Sequence, residues 1–211
     1  TLDGYGQVFR KLYINWKTRS AVPMIMLIDP TTACNLNCVG CWARDYEKNV
    51  QLSYEKLDEL FTDAKKLGII QIIFTGGEPL MRKNEILKLV EKHNGISFAM
   101  FTNGTLIDEA FASEMARLGN FNAFISLEGY REDTDMRRGE GTYDRLIKAM
   151  DLLKKYDVGF GFSACYHAKN FKTIAGDEFL DFMREKGAWF GWLFHYMPIG
   201  SGADLSLCCS A

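Results

Sequence analysis

Three cysteines fall within eight residues, Cys34-Asn-Leu-Asn-Cys38-Val-Gly-Cys41. Gaps of three and two residues let a compact loop wrap three thiolates around one metal body. No fourth ligand stands nearby, whereas structural zinc wants four closed ligands. A cubane [4Fe–4S] cluster has four irons, so three thiolates would leave one iron open to coordinate a substrate. Two other readings stay open. The thiols could be core residues at helical i, i+4, i+7 positions, although Asn35, Asn37 and Gly40 are poor helix formers. They could also bind zinc together with a distant fourth ligand.

The elements that must hold this loop can be read from periodicity. Short apolar runs alternate with amphipathic segments. Strands are predicted over 24–28, 69–75, 97–102, 121–127, 158–166 and 189–197. Helices are predicted between them, each with its own start or stop. Ser53 caps a helix with Leu57, Leu60, Ala64 and Leu67 on one stripe, ended by Gly68. A helix over 83–93 ends at Asn94-Gly95. Asp108 caps one closed by Gly119, Thr142 caps one running through Tyr156, and one over 174–186 is closed by Gly187. Regular βα alternation implies a parallel sheet with right-handed crossovers. Six such units are too few for a closed eight-unit barrel, so the expected fold is α/β, an open partial barrel. Before it, Tyr5, Val8, Phe9, Leu12, Tyr13 and Trp16 mark an N-terminal helix within residues 1–20. It is expected to pack on the domain, with a membrane-surface or partner helix as the other reading.

In parallel α/β folds the active site lies at the carboxyl ends of the strands. Each predicted strand here leads to an unusual segment. The first leads to the cysteines, the second to Gly76-Gly77-Glu78-Pro79, and the third to Asn103-Gly104. The fourth ends in Ser126-Leu127-Glu128-Gly129, the fifth leads to His167 and Asn170, and the sixth to Pro198-Ile199-Gly200.

The cysteine spacing, followed one βα unit later by GGEP, resembles the radical S-adenosylmethionine (SAM) superfamily over about residues 22–202. The resemblance implies a partial (β/α)6 barrel over 21–211. It implies that Cys34, Cys38 and Cys41 each bind one iron of a [4Fe–4S] cluster, while the amine and carboxylate of SAM chelate the fourth. Gly76, Gly77 and Glu78 would meet the SAM amine, with Pro79 stiffening the turn. Ser126 and Glu128 would contact ribose and methionine. Arg138 would pair with the SAM carboxylate, in a charged run that otherwise reads as a solvated loop. Asn103 and Asn170 become polar contacts, and Pro198 and Gly200 would present backbone to adenine. Many members carry an aromatic residue just before the third cysteine; Gly40 stands there, so Trp42 either substitutes or faces the substrate. The implied activity is reductive cleavage of SAM to a 5′-deoxyadenosyl radical that abstracts hydrogen from a substrate. A flavodoxin or ferredoxin would supply the electron. A non-catalytic iron–sulfur protein is the alternative. The substrate is unassigned: members with this six-strand ending and a cysteine-rich extension include several that modify peptides, and biosynthetic intermediates suit equally.

Composition agrees with an ordinary globular domain. The 211 residues are 47% apolar and 25% charged, with a formal net charge of −2, which gives no electrostatic case for nucleic acid or an anionic membrane. No apolar run approaches the roughly 20 residues of a bilayer span. The N-terminal residues lack a basic-then-apolar order, so a cytoplasmic protein is expected. His167 and His195 are read as structural, Cys165 as a small core residue, and Cys208 and Cys209 are unplaced. Residues 201–211 are too short and too rich in Ser and Gly for a helix covering the sixth strand. The core is therefore expected to lack its final helix.

Overall fold

The computed structural model describes residues 2–209, and the side chain of Tyr5 lies outside the described residues. Six parallel strands form one sheet in sequence order: β1 (Ile25–Ile28), β2 (Gln71–Phe74), β3 (Ser97–Thr102), β4 (Phe121–Ser126), β5 (Phe160–Tyr166) and β6 (Gly191–His195). Between them run α2 (Tyr54–Leu67), α3 (Lys83–Lys92), α4 (Glu109–Leu118), α5 (Arg131–Arg138), α6 (Thr142–Lys155), α7 (Phe171–Ile174) and α8 (Asp177–Lys186), while α1 (Leu2–Thr18) precedes β1. Strands laid down in order by crossovers of one hand place every helix on the same face. The other face curls inward: the ring of Phe101 on β3 lies 5.5 Å from that of Trp192 on β6, although two strands separate them in the sheet. The result is the half-barrel expected from the sequence.

The caps explain the boundaries. Ser53 accepts a hydrogen bond from Lys56 N, and Asp108 accepts one from Phe111 N at 2.8 Å. Gly68, Gly119 and Gly187 close their helices in the left-handed conformation that glycine adopts without strain. One cap differs from expectation. Thr142 is the first residue of α6, and Gly141 holds the cap position. The capping acceptor comes from α5 instead, where the Asp135 carboxylate takes Gly141 N and Tyr143 N. Neither α5 nor α7 is legible in the periodicity. α5 carries no apolar stripe, and its buried residues are Thr134 and Arg137.

The outer face of the sheet makes the core. Phe74, Phe98, Phe121 and Phe160 are buried against Phe61 of α2, Phe111 of α4 and Phe179 of α8. Truncating such a buried ring to alanine typically costs about 3–5 kcal/mol. β6 is the exception, because every residue in it is exposed. The C-terminal residues form a short 3₁₀ turn, Leu205–Leu207, tied to the β5 exit by Ala168 N donating to Leu207 O. Ser210 and Ala211 lie outside the described residues. α1 runs beside α2 and not over β6, with Phe9, Leu12, Tyr13 and Trp16 exposed.

Candidate functional site

The loop after β1 carries the cysteines and is clamped from below by the turn after β2. Gly77 N donates to Thr31 O and Glu78 N to Ala33 O. A Cβ on Gly77 would lie 2.3 Å from Ala33 O and 2.6 Å from Thr32 O, so only glycine allows this backbone-to-backbone contact. Within the loop, Leu36 N donates to Cys34 Sγ at 3.5 Å, and Cys41 N to Cys38 O. Across the rim, Val39 N donates to Arg137 O at 2.8 Å. Burial pushes the Cys34 thiol up, with the Leu36 bond working against it. Burial likewise pushes Cys38 up, opposed by the guanidinium groups of Arg138 and Arg137. Metal binding would therefore release protons from these thiols. Among the described residues no three His, Cys, Asp or Glu side chains converge on a point that could hold one metal ion. Three thiols on one short loop are a donor set that fits a cubane, whose three thiolates bind different irons.

Glu78 stands beside Cys34 and is buried, but its carboxylate already has partners within the chain. Oε1 accepts from Leu80 N and Thr102 Oγ1, and Oε2 from Asn103 N at 2.7 Å. Burial raises its pKa, with these bonds pulling the other way. It pins the Gly76–Pro79 turn to the end of β3. Asn103 Nδ2 donates to Asn35 Oδ1 and lies 4.0 Å from Cys34 Sγ, so this asparagine borders the first cysteine.

The second half of the rim centres on Glu128, whose side chain is fully buried. Its Oε1 accepts from Arg137 Nη1 at 2.5 Å and from Arg138 Nε and Nη2 at 2.8 and 2.5 Å. Its Oε2 accepts from Cys165 N. The run 131–138, which otherwise reads as a solvated loop, is thus a helix that delivers two guanidinium groups to one buried carboxylate. Arg137 had no signal apart from sitting next to Arg138, and its Nε is buried without a partner among the described residues. Asn170 is a clasp: its amide donates to Glu128 O and Cys165 O and accepts from His167 N. His167 is buried; its Nδ1 accepts from Lys169 N, and Nε2 has no partner among the described residues. Burial holds its pKa below 6.5. Cys165 is not a core residue. It is half-buried on the inner face, beside Glu128 and two residues beyond Ser163, whose hydroxyl meets that of Ser126 at 2.9 Å.

Pro198 and Gly200 lie on an exposed turn after β6. This turn closes on the cysteine side, where Asp45 accepts from Ser201 N and Ser201 Oγ. Trp42 is half exposed and edge-on to Tyr46. His195 is exposed and stacks on Tyr166. A cleft of about 250 Å³ beside Asn122, Trp189 and Trp192 opens toward the amino ends of the strands, away from the cysteines.

Residues 28–183 match the family model of the Radical SAM superfamily. The chain belongs to that superfamily. It is 30% identical over 192 residues to Fe-coproporphyrin III synthase of Methanosarcina barkeri, covering 87% of this chain and 48% of that protein. It is 32% identical over 190 residues to GTP 3′,8-cyclase of Clostridium botulinum, covering 84% and 58%. The fold matches that of Streptococcus suis SuiB bound to S-adenosylmethionine, with a TM-score of 0.78, 21% identity, and coverage of 92% of this chain and 46% of SuiB. SuiB has also been solved with its precursor peptide SuiA. The chain spans about half the length of these relatives.

Proposed function

We propose that this chain is the catalytic core of a radical SAM enzyme. The observation that carries the reading is the cysteine loop itself: three thiols at the carboxyl rim of a parallel half-barrel, held against a glycine turn that admits no side chain. Cys34, Cys38 and Cys41 would hold a [4Fe–4S] cluster, and SAM would bind beside it. When bound, these groups supply the reductive cleavage of SAM and a 5′-deoxyadenosyl radical that takes hydrogen from the substrate.

The chain's own residues orient and insulate. The carbonyls of Gly76 and Gly77 would accept from the SAM amine, with Pro79 fixing their turn. Glu78 keeps one acceptor position for that amine while its other bonds hold the turn. Arg138 would take the SAM carboxylate through Nη1, which donates to nothing among the described residues, while Nε and Nη2 stay on Glu128. Ser126 and Asn103 would face SAM from β4 and β3. Glu128 and Asn170 act one step back: Glu128 fixes Arg138, and Asn170 fixes the β5 exit. Pro198 and Gly200 would offer backbone to adenine.

The substrate is a peptide or a biosynthetic intermediate. SuiB, with its precursor peptide, and the coproporphyrin synthase support the two classes in turn. A flavodoxin or ferredoxin would deliver the electron, in the cytoplasm. We divide the chain into the helix within 1–20 and a core over 21–211, whose last strand, β6, is exposed. No helix among the described residues is long and apolar enough to cross a membrane.

The test is anaerobic reconstitution. The protein should take up about four irons, since three thiolates suit one cubane, and after reduction should convert SAM to 5′-deoxyadenosine. Cys38→Ala should lose both properties, whereas Cys165→Ala should keep the iron. Iron without 5′-deoxyadenosine would make this a non-catalytic iron–sulfur protein. Iron retained by Cys38→Ala would refute the ligand assignment.

A further inference from the structure

Many members of the superfamily carry an aromatic ring at the position before Cys41, where this chain has Gly40. Gly40 has φ +64, and a Cβ built on it would lie 2.5 Å from Tyr196 Oη and 2.6 Å from Cε2. The space a side chain would take there is already filled by a ring from the far end of the barrel. Tyr196 follows β6 directly and is 3% exposed, although every residue of β6 is exposed. Its hydroxyl accepts from Asp204 N at 2.8 Å, which folds the following segment back over the ring. Two further contacts join the same two segments. Asp45, four residues after Cys41, accepts from Ser201 N and Oγ. Arg44 lies against Gly202 and donates to Asn37 Oδ1 between the first two cysteines.

We propose that residues 196–204 form a strap that holds the Cys34–Cys41 loop in its cluster-binding shape, with Tyr196 as the positioning residue that acts through the Gly40 backbone. The inference rests on the cluster reading above. From one segment, the Tyr196 ring reaches the loop at Gly40, while Ser201 and Gly202 meet Asp45 and Arg44 in the turn just after it, from which Arg44 donates back to Asn37. The loop itself has few bonds of its own: Cys41 N to Cys38 O, at 3.4 Å, is a long one. A loop so sparsely bonded within itself takes its shape from what packs on it. The strap also explains Gly40: its left-handed conformation and the ring above it each exclude a side chain.

The experiment measures iron release from the reconstituted chain to a chelator, together with the electron paramagnetic resonance spectrum of the reduced cluster with and without SAM. Tyr196→Ala should release iron at least about tenfold faster and alter the SAM-induced spectral change. Tyr196→Phe keeps the ring on Gly40 and should stay within about twofold of the parent. Gly40→Ala should release iron fast, and adding Tyr196→Ala should cost little more, because contacting sites do not act additively. Phe179→Leu, in the core and away from the loop, controls for general destabilisation. If the parent takes up no iron, the cluster reading falls and this inference with it. If the parent holds iron and Tyr196→Ala holds it equally well, or loses it no faster than Phe179→Leu, the strap is refuted while the cluster reading stands. Effects of Gly40→Ala and Tyr196→Ala that simply multiply would also overturn it.

Discussion

Replacing Glu128 with glutamine tests the logic of the rim most directly. The change keeps the shape of the side chain and removes one charge. In the parent, one fully buried carboxylate takes three hydrogen bonds from Arg137 and Arg138 on Oε1 and one from Cys165 N on Oε2. An amide has a single acceptor atom. If its oxygen faces the guanidinium groups, its NH₂ faces the Cys165 N–H, donor against donor. If it turns over, two arginines face an NH₂. Either way Arg137 and Arg138 lose the carboxylate that both of them bond. Breaking a buried ion pair by removing one partner typically costs about 3–5 kcal/mol. In a domain of this size 1 kcal/mol moves the melting temperature by about 2–4 °C, so a loss of roughly 6–20 °C is expected. Circular dichroism of the cluster-free protein reads this without any contribution from bound iron. Combining Glu128→Gln with Arg137→Met should recover part of the loss, because the double change removes one of the stranded cations. A melting temperature within about 2 °C of the parent would show that solvent reaches these groups and that Glu128 is not their counter-ion.

Three further outcomes follow from the geometry. Gly77→Ala places a methyl group 2.3 Å from Ala33 O, where only backbone can yield, so iron uptake should fall sharply at a cost of about 1–3 kcal/mol; normal uptake would refute the close-approach argument. Asn170→Ala strands Cys165 O, Glu128 O and His167 N, and urea denaturation should show a loss of about 1–3 kcal/mol or more; a neutral result would mean that water satisfies all three. His167 has a folded pKa below 6.5, so the unfolded chain binds the proton more readily. Its contribution to stability is complete above about pH 6.5 and is lost as pH falls through the lower folded value. The urea midpoint should therefore drop between pH 7 and pH 5, and drop less in His167→Gln; parallel pH profiles would assign the effect elsewhere.

The sequence by itself determined the sheet, most helix ends and the three thiols. These signals are short-range. Ser53, Asp108, Gly68, Gly119 and Gly187 act on backbone groups within a few residues, and the cysteine spacing lies in one loop. The glycine pair was legible as a place where something approaches the backbone; that the approaching group includes the cysteine loop's own carbonyls emerged only in three dimensions. Tertiary structure decided the partners. Glu78 and Glu128 stand where the pattern put them, yet each is bonded by donors from other elements, Thr102 and Asn103 for one, Arg137, Arg138 and Cys165 for the other. α5 was hidden because charge, not an apolar stripe, gives it a buried side. Tyr196 reads as one more aromatic in an aromatic run, and nothing local says that it leaves β6 to cover Gly40, 156 residues earlier (196 − 40). Which acceptor a buried guanidinium finds, or which glycine a ring fills, depends on strands and loops brought together by the curl of the sheet. Periodicity, caps and spacing carry no record of that.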